Sequence, residues 1–258
     1  MVTRDFPAPS FPLVVAHRGA STDYPENTLE SFQGAVDAGA DAVELDIRLT
    51  ADGIPVVMHD ADVSRCTDGS GFVHEMTLAE LKALDASSGR GPRTEVPTLA
   101  EVLQLVSGRA GVNLEIKNIP GEPSYDSPRE AIVRTALEVV DAASFSGPVL
   151  VSSFNWITIE RSLELAPDIR TGFLTLAAID PEAALVYARS AGHAFVLPHA
   201  VALLHAGERF IARAHDAEVR VGTWTVDEPE ALARLFSWGV DAVATNDPER
   251  AVQVRSAA

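Results

Sequence analysis

Two carboxylates stand two positions apart in the segment AVELDIRLTADGIPVVMHD, which covers residues 42–60. In an extended chain every second side chain points to the same face, so Glu44, Asp46 and Arg48 share one face of an otherwise apolar strand. A second apolar run then ends at His59. An antiparallel strand with one solvated face shows the same alternation, so the rest of the chain must decide whether these acids do chemistry.

A third acid, Glu115, shares one face of a later strand-like run, GVNLEIKN, with Lys117. Carboxylates from neighbouring strands repel one another, and burying them together is costly unless a cation neutralises them. Oxygen ligands without cysteine favour a hard ion, so the sequence predicts a site for Mg²⁺ or Ca²⁺. The predicted ligands are Glu44, Asp46 and Glu115. The alternative is a buried ion network in which Arg48 and Lys117 neutralise the acids.

Two histidines end strand-like runs that neighbour the runs with the acids in the sequence. His17 ends the run PLVVAHRG, and His59 ends the run that follows the first two acids. Imidazole titrates near neutral pH, so each is a candidate for proton transfer, although each can also be a packed structural residue. Arg18 and Lys117 beside a metal indicate an anionic substrate such as a phosphate. For Arg18 the alternative is a surface ion pair of little consequence.

Eight β-rich runs alternate with helical patterns along the chain and must position these residues. They cover residues 12–19, 42–50, 111–118, 148–154, 169–175, 193–201, 219–226 and 241–247. Eight β-then-α units predict an α/β fold, the closed (β/α)8 TIM barrel. An open doubly wound sheet is the alternative, but its glycine fingerprint for nucleotides is missing.

Helix-start signals support this alternation. They are capping-box patterns or an acid followed by proline, at residues 27–30, 77–80, 180–181, 227–229 and 247–248. Further helices are predicted to start near 128, 155 and 203, and one more covers 98–106. Residues 51–76 interrupt this alternation of strands and helices, so we predict a small insertion after the second strand. We predict that the whole chain, 1–258, forms one domain.

Active sites of such barrels lie at the C-terminal ends of the strands. Polar and aromatic residues fall there on most of the predicted strands. The expected substrate-contacting residues at this mouth are Arg18, Lys117, Phe154, His199 and Trp224.

The composition of the chain disfavours several classes of binding partner. The chain has 258 residues and a formal net charge of −17, which disfavours nucleic acid and anionic membranes as partners. A single cysteine excludes an intrachain disulfide. The sequence has neither an 18-residue apolar run nor a recognisable signal peptide. We therefore expect a cytoplasmic protein with a small-molecule substrate and no stable membrane anchoring.

Several motifs, in order along the chain, resemble those of the glycerophosphodiester phosphodiesterase family. They are AHRGASTDYPENTLESF, GADAVELDIRLTADGIPVVMHDADVSRCTDGSG, LEIK, WTVDEP and GVDAVATNDP. The resemblance implies a (β/α)8 barrel with a small insertion after the second strand. It also implies metal-dependent hydrolysis of glycerophosphodiesters to glycerol 3-phosphate and an alcohol, in glycerophospholipid and glycerol metabolism.

The resemblance also implies a role for each matching residue. The metal ligands would be Glu44, Asp46 and Glu115, and the acid–base pair would be His17 and His59. The phosphate would be bound by Arg18 and Lys117, and part of the pocket wall would be Trp224. Among the histidines we expect His17 to be the base and His59 the acid. The chain departs from the family pattern at Asp227, where Asn is common, and at Asn246, where Asp is usual. Both positions lie near helix starts, where Asn and Asp cap alike.

Two other activities stay open on the same barrel. A lysophospholipase D-type enzyme would need an apolar rim for an acyl chain, and a cyclising phosphodiesterase would use the neighbouring glycerol hydroxyl in place of water. A non-catalytic phosphodiester-binding barrel is a more distant alternative. The sequence leaves open the headgroup alcohol, the choice between Mg²⁺ and Ca²⁺, and the oligomeric state.

Overall fold

A computed structural model of the chain describes residues 12–257, so the first eleven residues considered for a signal peptide lie outside the described part. Within it, the nine strands are β1 Leu13–His17, β2 Ala42–Leu49, β3 Pro55–Val57, β4 Gly111–Ile116, β5 Val149–Ser153, β6 Arg170–Thr175, β7 Phe195–Pro198, β8 Arg220–Thr223 and β9 Ala242–Thr245. The ten α-helices of the same part are α1 Leu29–Asp37, α2 Leu78–Ala83, α3 Leu99–Val106, α4 Ala131–Ala142, α5 Trp156–Leu165, α6 Pro181–Ala191, α7 Ala200–Ala206, α8 Glu208–Asp216, α9 Pro229–Ser237 and α10 Pro248–Ala257.

Eight of these strands form a closed parallel barrel, which confirms the predicted (β/α)8 fold. The strand order is β1-β9-β8-β7-β6-β5-β4-β2, and the pairing of β1 with β2 closes the ring. The short β3 pairs antiparallel with the end of β2, outside the ring. Every barrel strand is buried on both faces, because helices cover the outside and side chains fill the inside.

The alternation seen in the sequence divides β2 between these two environments. Val43, Leu45 and Ile47 pack outward in the largest apolar core of the protein. Ala42 faces inward, where a smaller apolar cluster fills the base of the barrel. Because successive side chains point to opposite faces, Glu44 and Asp46 also face the barrel interior. They are not the solvated face of an antiparallel strand.

The segment between β2 and α3 has a small core of its own. It contains β3, α2 and the two 3₁₀ turns Val63–Arg65 and Val73–Glu75. Its buried side chains are Val56, Met58, Val63, Cys66, Val73, Leu81, Ala86 and Val96. Helix α3 packs against α1 and α4 in the outer ring, whereas α2 contributes Leu81 to the small core. The boundaries 51–76 of the insertion stay a prediction.

Helix starts differ from the predictions at two positions. The expected capping box at Thr77 and Glu80 is present, but α1 is capped by Thr28, and the amide of Asn27 instead donates to Asp46. Likewise, Asp227 does not cap α9, because its carboxylate binds Asn246. In both cases a polar partner inside the barrel mouth competes with the helix end for the side chain.

The single helix predicted near 203 is two helices, α7 and α8, separated at Gly207, whose φ of 78° favours glycine. In the described part of the chain, no helix combines the length and apolar character needed to cross a membrane.

Candidate active site

The register of three adjacent strands brings the predicted acids together. Glu44 lies opposite His17 in the pairing of β1 with β2, and Asp46 lies opposite Glu115 in the pairing of β2 with β4. One carboxylate oxygen from each of the three acids lies within 4.8 Å of the others, and all three side chains are buried. Two oxygens on opposite sides of a cation that binds oxygen at about 2.0–2.6 Å are about 4 to 5 Å apart. The spacing therefore fits Mg²⁺ or Ca²⁺.

The electrostatics of this cluster also favour a cation. Burial, followed by the charges of Asp46 and Glu115, raises the pKa of Glu44 well above its ordinary value. Burial likewise raises the pKa of Glu115. The Oε1 atom of Glu44 is buried and has no hydrogen-bond partner. A buried carboxylate oxygen without a partner is costly, and a bound cation would remove that cost.

The predicted ion network accounts for only part of this charge. Lys117 Nζ lies 2.9 Å from Asp46 Oδ1 and also forms an ion pair with Glu115. Arg48 instead points away from the acids, because its guanidinium binds Glu122 at 2.7 Å and donates to the carbonyl of His59. Burial alone would raise the pKa of Asp46, but the ammonium of Lys117 and the guanidinium of Arg18 hold it well below its ordinary value.

The loop after β1 presents both backbone and side-chain donors to the acids. The backbone N–H of Arg18 donates to Glu44 Oε2 at 2.9 Å, and Arg18 Nε lies 3.3 Å from Asp46 Oδ2. Arg18 has a φ of 57°, an unusual value for a residue with a side chain. The next residue, Gly19, has a φ of 86°, and a Cβ there would clash with Ser31. Glycine is therefore required at position 19, and the turn aims the guanidinium of Arg18 at the cluster.

His17 is oriented by a chain of hydrogen bonds from the other end of the protein. Its Nδ1 lies 2.8 Å from Asn246 Oδ1. Asn246 donates its side-chain amide to Asp227 Oδ2 at 2.7 Å, and its backbone N–H donates to Asp227 Oδ1. A carboxylate only accepts hydrogen bonds, so the amide oxygen must face the imidazole, and Nδ1 carries the proton. The Nε2 atom of His17 is then left with its lone pair.

His59 has a different kind of partner. Its Nδ1 lies 2.5 Å from Asp60 Oδ1, so a carboxylate stands directly behind the ring. Arg65 donates to Asp60 and, at 2.8 and 2.9 Å, to both oxygens of Glu26. Glu26 in turn accepts a hydrogen bond from Arg18 at 2.9 Å. The insertion and the loop after β1 are therefore joined by one network around the mouth.

Aromatic rings line the side of the mouth away from the insertion. Trp224 makes edge-to-face contacts with Phe154, at 5.3 Å between ring centroids, and with His199, at 4.9 Å. Trp224 also lines the same cavity as His17, Glu44 and Glu115. The structure thus gathers all ten predicted site residues at the C-terminal end of the barrel.

Sequence analysis missed the residues that position these groups. They are Glu26, Asn27, Asp60, Arg65, Asp227 and Asn246. The motifs that carry the resemblance contained all of them, but the sequence assigned Asn27, Asp227 and Asn246 only to helix starts and gave the other three no role. For Asp227 and Asn246 a signal was available in the sequence. The chain has Asp where the family commonly has Asn, and Asn where the family usually has Asp. Two residues that exchange Asn and Asp in this way can keep the hydrogen bond between them.

Comparison with known proteins places this site in a well-populated family. The family model of the glycerophosphoryl diester phosphodiesterases matches residues 17–250. A glycerophosphodiester phosphodiesterase of Caldanaerobacter subterraneus is 35% identical over 94% of this chain and 97% of its own length. A phosphodiesterase of Oleispira antarctica, solved in complex with the product sn-glycerol-3-phosphate, has a TM-score of 0.84 and 31% identity, covering 95% of this chain and 96% of that one. A glycerophosphodiester phosphodiesterase of Thermotoga maritima has a TM-score of 0.75 and 27% identity, covering 95% and 98%.

Proposed function

Because this chain belongs to the glycerophosphoryl diester phosphodiesterase family and is an enzyme that hydrolyses glycerophosphodiesters, we propose that it releases sn-glycerol 3-phosphate and an alcohol in a reaction that requires a divalent cation. The observation that carries this proposal is the buried cluster of three carboxylates between two histidines with different partners. We further propose that the reaction belongs to glycerophospholipid breakdown in the cytoplasm.

Charge supports binding of a phosphodiester at this cluster. Mg²⁺ or Ca²⁺ held by Glu44, Asp46 and Glu115 would supply Lewis-acid stabilisation of the phosphoryl oxygens. Arg18 and Lys117 already contact the acids, so their remaining N–H groups can bind the same phosphoryl group. The uncharged ring of Trp224 offers an apolar surface for the carbon skeleton of glycerol.

The two histidines are suited to opposite proton transfers. His17 faces an amide rather than a carboxylate, and burial together with the charge of Arg18 lowers its pKa. Its free Nε2 can therefore accept the proton of the attacking hydroxyl. Burial also lowers the pKa of His59, but the charge of Asp46 and the hydrogen bond to Asp60 favour the protonated ring. His59 can therefore donate a proton to the leaving alcohol. The attacking hydroxyl belongs either to water or to the glycerol next to the phosphate.

The test is hydrolysis of glycerophosphocholine with Mg²⁺ or Ca²⁺ and with chelator. We expect activity that disappears on exhaustive chelation and returns with the ion. In the Glu44→Gln variant we expect weaker stabilisation by the ion in thermal melts and lower turnover, because one anionic ligand is gone. Glu138→Gln, on the exposed face of α4, is the matched control and should match wild type. Full activity after chelation, or an unchanged Glu44→Gln variant, would contradict the metal assignment.

A further inference from the structure

The last inward-facing residue of β2, Arg48, is a buried cation that the reaction above does not use. Its side chain is only 5% exposed. A buried charge is costly unless neighbouring groups neutralise it and accept its hydrogen bonds. The guanidinium points away from the three acids of the site, which bind Arg18 and Lys117. The acceptors that Arg48 does have therefore indicate its role.

The guanidinium of Arg48 joins two segments that are distant in the chain. Its Nε and Nη2 atoms both donate to the backbone carbonyl of His59, at 2.9 and 2.7 Å. Its Nη1 and Nη2 atoms donate to the two carboxylate oxygens of Glu122, at 2.7 and 3.2 Å. One planar group thus reaches a carbonyl in the segment after β3 and a carboxylate in the loop between β4 and α4. Arginine is the side chain whose donors are arranged in such a fork.

The backbone at His59 lies beyond the end of the sheet. The pairing of β3 with β2 extends to Val57, opposite Ile47. One further hydrogen bond, from the N–H of Met58 to the carbonyl of Asp46 at 2.9 Å, continues this ladder. The carbonyl of His59 then accepts from a side chain, and that side chain belongs to the strand that also carries two of the three acids. Arg48 therefore fixes the histidine relative to the acids.

The carboxylate that orients the guanidinium is on a loop closed by Asn118. The side chain of Asn118 donates to the carbonyl of Asp126 at 3.2 Å and accepts from the N–H of the same residue at 2.9 Å. The carbonyl of Asn118 accepts from the side chain of Asn155 at 2.8 Å. Glu122 lies between the two bridged positions, so its carboxylate is held in place. Its charge also balances that of Arg48, and the pair adds no net charge beside the acids.

Two contacts thus hold His59 from different sides. Asp60 lies 2.5 Å from the ring Nδ1, and Arg48 holds the backbone carbonyl. We propose that Arg48 is a positioning residue, which fixes the backbone of His59 to β2 so that the imidazole stays where it can protonate the leaving alcohol. The proposal rests on the role of His59 in the proposed function above. Proton transfer needs heavy atoms about 2.6–3.2 Å apart, so a small displacement of the histidine slows this step selectively.

The test compares two substrates that differ in their need for an acid. The leaving alcohol of glycerophosphocholine needs a proton, whereas a p-nitrophenyl phosphodiester of glycerol needs little protonation. We expect Arg48→Met to lower kcat for glycerophosphocholine by about tenfold or more. With the p-nitrophenyl substrate kcat should stay close to wild type, and KM should change little for either substrate. An equal loss of kcat with both substrates would overturn the proposal.

The matched control is Arg93→Met. Arg93 also donates to backbone carbonyls, but to those of Lys82 and Leu84 and not to that of a site residue. This variant loses an arginine with the same kind of contact, so it reports any general effect of such a loss on the fold. It should match wild type with both substrates.

A second variant keeps the proposal testable if Arg48→Met is unstable. Removing one partner of a buried ion pair leaves the other charge unpaired, whereas Arg48→Met/Glu122→Gln removes both charges. We expect the double variant to melt closer to wild type and to keep the selective loss with glycerophosphocholine. If the double variant cleaved glycerophosphocholine as wild type does, Arg48 would only balance the charge of Glu122, and the proposal would be wrong.

NMR separates failure of this proposal from failure of the proposed function. The chain has seven histidines, and the ring signals of two of them are identified by their loss in His59→Ala and His17→Ala. In the double variant we expect the His59 signal to shift or broaden and the His17 signal to stay in place. An unchanged His59 signal would overturn the proposal while leaving cleavage of glycerophosphocholine by wild type untouched. Absence of that cleavage would contradict the proposed function, and the NMR result would still decide whether Arg48 holds His59.

Discussion

Asn246 presents its amide oxygen to Nδ1 of His17 across 2.8 Å, although the two residues are 229 positions apart in the chain. The orientation of that amide follows from Asp227, which accepts both the backbone and the side-chain N–H of Asn246. The carboxylate of Asp227 therefore acts on the imidazole through Asn246 and not directly. This arrangement keeps His17 in one tautomer without strongly favouring its protonated form.

We expect Asp227→Asn to lower kcat/KM by about tenfold, because the amide of Asn246 is then free to turn its N–H groups toward the imidazole. The reciprocal variant Asp227→Asn/Asn246→Asp restores one acceptor and one donor in the pair and should recover most of the activity. Its new carboxylate beside His17 raises the pKa of a base that must be unprotonated. The acid limb of the pH–rate profile should therefore move to higher pH. Recovery without that movement would show that Asn246 does not act through His17.

The two histidines should respond differently to the leaving group. His17→Ala and His59→Ala should each lower turnover of glycerophosphocholine by about 10² to 10⁴-fold. A p-nitrophenyl phosphodiester of glycerol needs little protonation of its leaving group, so His59→Ala should regain much of its activity with this substrate and His17→Ala should not. The measurement is kcat for both substrates in both variants. The reverse pattern would exchange the two roles, and near-normal turnover in either variant would make that histidine structural.

Lys117→Met should impair catalysis more than folding. Burial alone would lower the pKa of Lys117, but Asp46 and Glu115 raise it, so the side chain is charged at neutral pH. If its main role is to bind phosphate, the variant should melt near wild type in excess Mg²⁺ or Ca²⁺ and lose about tenfold or more in kcat/KM. Removing one partner of a buried ion pair can instead cost about 3 to 5 kcal/mol. A much lower melting temperature with normal specific activity would assign Lys117 to stability alone.

Glu26 should make the stability of the protein depend on acidic pH. Burial alone would raise its pKa, but the hydrogen bond from Arg65 and the charge of Arg18 lower it from 4.5 to about 2. A carboxyl with a lowered folded pKa stabilises the fold above its unfolded pKa, and this contribution is lost as the pH falls through that window. Glu26→Gln should therefore melt below wild type near neutral pH, with a difference that shrinks between pH 4.5 and about 2. A constant difference across that range, or an equal effect of Glu138→Gln, would contradict this.

The sequence was sufficient to predict the barrel and the residues that meet at its mouth. Period-two alternation identified the inward face of β2, and the eight strands all occur close to their predicted positions. Prediction failed where one side chain had two possible partners. Asn27 is a residue type that often caps a helix, but its side-chain amide donates to the buried carboxylate of Asp46, and Thr28 caps α1 instead. Only the three-dimensional structure shows which partner is close.

Arg48 illustrates the same limit for charges. It lies on the inward face of β2 with the acids, yet Glu122 and the carbonyl of His59 bind its guanidinium. Spacing along a strand gives the face on which a residue lies. It does not show where a long flexible side chain ends, because that depends on groups distant in sequence.

The pairing of β1 with β9 has a consequence for the order in which the enzyme acquires activity. The three acids require only β2 and β4, which adjoin in the first half of the chain. The partner of His17 lies beyond the last strand, so it reaches the histidine only when β9 joins β1 and the ring is complete. During synthesis on the ribosome, the acids can therefore meet long before the base is oriented. We therefore expect full activity only after the final strand has joined the ring.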